Sequence, residues 1–94
     1  MGIKQTDSAE FKRTPEFINK WRIINEEVEE IISSGLQDLA AGLSLEESIQ
    51  ICEKEIRLKQ EEFVFANNIS HYHLEKEFAS QLEHARERIK GWDG

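Results

Sequence analysis

The residues best suited to chemistry are three histidines and the acids beside them. On an ideal helix His73, Glu77 and His84 fall within about 40° of one another. Imidazole nitrogen and carboxylate oxygen both suit zinc or iron, so a histidine with a carboxylate one turn away is half of a metal site. His71 and Glu75 repeat the pair on a different face. Neither pair is a full ligand set. His73 and His84 lie about 16 Å apart along one helix, so a shared ion would need ligands from further chains. The Glu-x-x-His spacing of di-iron bundles is absent. The expectation is therefore surface histidines paired with glutamate, with no metal and no cofactor. His73, Glu77 and His84 are the candidates should several chains assemble around an ion.

Other catalytic signatures are missing. There is no glycine-rich phosphate loop, no nucleophile elbow and no paired Cys/His motif. The serines fall in caps and helix ends, and the carboxylates lie on surface faces where little shifts their pKa values. No enzyme activity is expected. The single cysteine, Cys52, sits within an apolar stripe. It reads as a buried thiol acting as a small hydrophobe, in keeping with a reducing, cytoplasmic setting. Met1-Gly2-Ile3-Lys4-Gln5-Thr6 fits the short N-myristoylation pattern, with Lys12 and Arg13 as a possible second anchor. That pattern is often fortuitous. No apolar run approaches membrane-spanning length and residues 1–14 carry no secretory apolar region. No membrane partner is expected.

With 94 residues the chain is read as one domain. Hydrophobic residues make up 38% and charged ones 33%, enough of each for a soluble folded core. The net charge of −7 is spread over the helical segments. Such a surface repels phosphate backbones and disfavours direct nucleic-acid binding, but suits a basic protein partner. Glu26, Glu27, Glu29, Glu30, Glu61 and Glu62 are the exposed acids that would matter if the chain mimicked nucleic acid at a basic site.

These side chains must be positioned by helices. Apolar residues recur at steps of three and four: Phe17, Trp21, Ile24, Val28 and Ile31, then Leu45, Ile49, Cys52, Ile56, Phe63 and Ala66, then Leu74, Phe78, Leu82, Ala85 and Ile89. That period puts each set on one helix face and defines an all-α protein. Residues 1–13 have no period and read as a flexible arm, with residues 14–94 as a single helical domain. Thr14-Pro15-Glu16 is a start signal, and Gly35 is read as a left-handed stop after Ser34. Ser44 with Glu47 forms a capping box. Glu53–Arg57 and Glu55–Lys59 are expected as surface pairs one turn apart. Asn67-Asn68-Ile69-Ser70 can end one helix and start another. The reading is helices at about 15–34, 44–67 and 70–90 in a three-helix bundle. The rival reading runs one long helix from Leu45 to Lys90 in a hairpin that buries its stripe against a second chain.

A second apolar line, Ile51, Leu58, Phe65 and Tyr72, repeats every seven residues off the main stripe. Either both neighbours in one bundle cover it, or it is a surface for another chain. The preferred functional expectation is a small acidic interaction module, acting as adaptor, regulator or inhibitor without chemistry of its own. This line and the acidic rim would meet a partner protein, and homodimerisation is a further expectation.

Overall fold

The computed structural model describes residues 14–92; the arm, its myristoylation pattern and Phe11 lie outside them. Three α-helices pack against one another: α1 (Pro15–Ala40), α2 (Leu45–Asn67) and α3 (Glu75–Lys90), the last preceded by a 3-10 turn at His71–Leu74. No helix among the described residues is long and apolar enough to cross a membrane.

Each start signal acts locally. Thr14 Oγ1 accepts from the Phe17 N–H at 3.1 Å, and Pro15 occupies the first helical position. Ser44 Oγ accepts from the Glu47 N–H at 3.2 Å, while its own hydroxyl donates to the Glu47 carboxylate at 3.1 Å. The two box residues therefore bond through their side chains. Ser70 Oγ accepts from the Tyr72 N–H at 3.0 Å.

Gly35 does not stop α1, which runs a further turn and a half to Ala40. A Cβ at Gly35 would overlap Cys52 Sγ of α2, and Ser48 Oγ donates to the Gly35 carbonyl at 2.8 Å. The glycine is there for close helix approach, and the left-handed glycine of this turn is Gly42, at φ 112°. The break after α2 is real. Asn68 takes the left-handed conformation (φ 55°, ψ 45°), and the Ile69 N–H returns to the Val64 carbonyl at 3.2 Å. This is a Schellman-type end, and it excludes the single long helix.

The core lies along the shared axis. Ile24, Val28 and Ile32 of α1 meet Ile56 and Phe63 of α2 and Phe78 and Ala85 of α3, with Leu74 sealing the turn. Ile32, not Ile31, is fully buried, because the continued helix carries the stripe on to Gly35 and Leu39. Leu45 and Ala66, read as core, are exposed at the two ends of α2. An aromatic cluster joins all three helices: the Trp21 ring lies 5.5 Å from Phe63 and 5.8 Å from Phe78, and Phe17 lies 5.9 Å from Phe63.

Candidate functional site

The outward face of α2 follows from its inward one. Ser48, Cys52, Ile56, Gln60 and Phe63 are buried. On an ideal helix Ile51, Leu58 and Phe65 project roughly 140–180° from Ile56, away from the side of α2 that packs in the core. They are 42%, 53% and 89% exposed, and Tyr72, beyond the break, is 75% exposed. Beside Phe65 the end of α2 and the following turn enclose a groove of about 550 Å³ lined by Glu61, Val64, Phe65, Asn68, Ile69 and His71.

The six acids do not gather on one face. Glu29 turns towards α3, where His84 Nε2 lies 2.7 Å and Arg88 2.8 Å from its carboxylate oxygens. The His84 hydrogen bond, helped by Arg88 and opposed by partial desolvation, holds the Glu29 carboxyl below its ordinary pKa of 4.5. Glu27 lies on the other side of α1, lining the α1–α2 groove with Glu62, Lys20 and Lys59. Glu26 pairs with Arg22 at 3.3 Å and Glu62 with Lys59 at 3.9 Å. Glu30 and Glu61 are exposed.

The expected surface pairs rearrange for a related reason. Glu53 pairs with Arg86 of α3 rather than with Arg57, and Lys59 pairs with Glu62 rather than with Glu55. Glu53 sits on the edge of α2 that borders α3, so a partner on the next helix is within reach.

The metal candidates are spread out. His84 and Glu77 line one α1–α3 groove of about 410 Å³ with Trp21, Asn25 and Glu29. His73 sits instead in the 3-10 turn, with its ring against Tyr72. No three His, Cys, Asp or Glu side chains among the described residues are grouped closely enough to hold an ion. Cys52 is buried, its thiol donating weakly to the Ile31 carbonyl at 3.5 Å. Burial, with Glu55, Asp38 and Glu53 nearby, pushes its pKa above 9.0.

One polar arrangement was not anticipated. Gln60 Nε2 donates to Gln81 Oε1 and to the Phe78 carbonyl, each at 3.0 Å, and Gln81 Nε2 donates to Asn25 Oδ1 at 2.7 Å. This chain of amides links all three helices, from the buried Gln60 and Gln81 out to the exposed Asn25. Its signature was a gap in each stripe: Gln60 stands between Ile56 and Phe63, and Gln81 between Phe78 and Ala85.

Comparison of the chain with protein-family models, curated proteins and solved structures gives no match. The bundle therefore defines the class of this protein by its architecture alone.

Proposed function

We propose that the protein is an interaction module that binds another protein through the outward face of α2 and performs no chemistry itself. The observation that carries the reading is the exposure of Ile51, Leu58 and Phe65 on one line. Three large apolar side chains at seven-residue spacing are left uncovered by a bundle that already has a complete core. Apolar lines of this kind mark contact surfaces more often than scattered single residues do. Adaptor, regulator or inhibitor roles all use such a surface.

The test is capture of partners from a lysate of the native host at low and high salt, with wild type beside Leu58→Asp and Phe65→Asp. The expected result is a stoichiometric partner retained at high salt and lost from both variants, with helicity and unfolding unchanged. Equal capture by the variants overturns the reading. A partner released from wild type by salt alone would instead favour the acidic side chains as the contact.

A further inference from the structure

Building on that reading, we infer that the occupant of the α2 face is a basic amphipathic helix of another protein, with its apolar line on Ile51, Leu58 and Phe65 and its cations on Glu61 and Glu62. Charge decides among possible occupants. Around the apolar line α2 presents Glu47, Glu55, Glu61 and Glu62 against Lys54, Arg57 and Lys59. The acid is concentrated where the apolar line is most exposed. On an ideal helix Glu61 and Glu62 flank the line on opposite sides, about one turn before Phe65. Glu61 holds no ion pair with another described residue, and Glu62 has Lys59 at 3.9 Å. The groove of about 550 Å³ beside Phe65 is lined by Glu61, Val64 and Ile69, with His71.

An incoming helix with an apolar residue every seventh position would set successive side chains against Ile51, Leu58 and Phe65. A bulky one at its end would enter the groove. Lysine or arginine on either flank would then meet the two exposed glutamates, adding to or displacing the Lys59 contact at Glu62. Helix-in-groove recognition of this type takes affinity from the apolar anchors and selectivity from the flanking charges. A second copy of this chain fits less well. Paired antiparallel about Leu58, it would set Glu55 near Glu62 on one flank and Lys54 near Glu61 on the other, so the flanks cancel and the net charge of −7 on each copy weighs against the pair.

The experiment uses the full chain and two synthetic helical peptides. Both have leucine at every seventh position; one has lysine at the flanking positions and the other glutamate. Binding is followed by fluorescence anisotropy, and the state of the free protein by sedimentation. The expected result is binding of the lysine peptide, with the glutamate peptide at least about tenfold weaker. Leu58→Asp should weaken the lysine peptide by about tenfold or more. Glu61→Gln with Glu62→Gln, which leaves the apolar line intact, should weaken it several-fold and flatten its salt dependence. Equal binding of the two peptides, or binding indifferent to these variants, overturns the inference. So does a free protein that sediments as a dimer through this face. Failure of the lysine peptide beside a lysate partner that depends on Leu58 would sink the basic helix and leave the interaction reading standing. Capture indifferent to Leu58 would sink both.

Discussion

Gly35 of α1 lies directly against Cys52 of α2, so closely that a methyl group on the glycine would overlap the sulfur. The Ser48 hydroxyl fastens the same contact by donating to the Gly35 carbonyl at 2.8 Å. Replacing glycine by alanine inside a helix ordinarily stabilises it by up to about 1 kcal/mol. Here overpacking outweighs that gain, at roughly 1–3 kcal/mol. Gly35→Ala should lower stability in urea unfolding. Cys52→Ala in the same chain should recover much of the loss, since it removes the overlapping atom. Equal or greater stability for Gly35→Ala alone would show that the helices part at no cost.

The amide chain through Asn25, Gln81 and Gln60 is satisfied only as a unit. Gln60→Leu deprives Gln81 Oε1 of its donor in the core, and leaving a buried polar group unmet costs about 1–3 kcal/mol. Gln60→Leu with Gln81→Leu removes both ends of that bond. The double variant should therefore lose less than the sum of the singles in a double-mutant cycle. Strict additivity would mean the amides are not coupled.

Glu29 makes part of the stability depend on pH. Its folded pKa is lowered, so its contribution is present above its ordinary value of 4.5 and is lost as pH falls through the folded value. The side chain is 49% exposed, which limits the effect to a few tenths of a kcal/mol. Thermal unfolding of wild type and Glu29→Gln should differ by a small margin at about pH 5–6 and converge in more acidic solution. A margin that widens with acid would contradict the ion pairs with His84 and Arg88.

Asn68 carries the break between α2 and the turn that follows. At φ 55° Cβ crowds the following carbonyl oxygen, at roughly 1–2 kcal/mol, a cost that the short polar side chain of asparagine bears better than alanine does. Asn68→Gly should hold or slightly raise the melting temperature, and Asn68→Ala should lower it by the equivalent of about 1 kcal/mol. A neutral alanine variant would mean that the break persists without the left-handed residue.

Local chemistry and period were legible in the chain itself. Thr14-Pro15, Ser44 with Glu47, and Asn68-Ile69-Ser70 mark helix ends because capping depends on neighbours a few residues away. The apolar steps through Ile24, Val28, Ile56, Phe78 and Ile89 identify buried faces because a helix repeats every 3.6 residues whatever it packs on. The same arithmetic placed Ile51, Leu58 and Phe65 on one line, although not whether a neighbour covers it. Only the tertiary arrangement decided that α1 and α3 both lie on the far side of α2. It also decided that Gly35 is a contact and not a stop, that Glu53 pairs with Arg86, and that Gln60 and Gln81 satisfy each other inside the core. Each of these depends on the distance between segments remote in sequence, a quantity that capping and period do not contain.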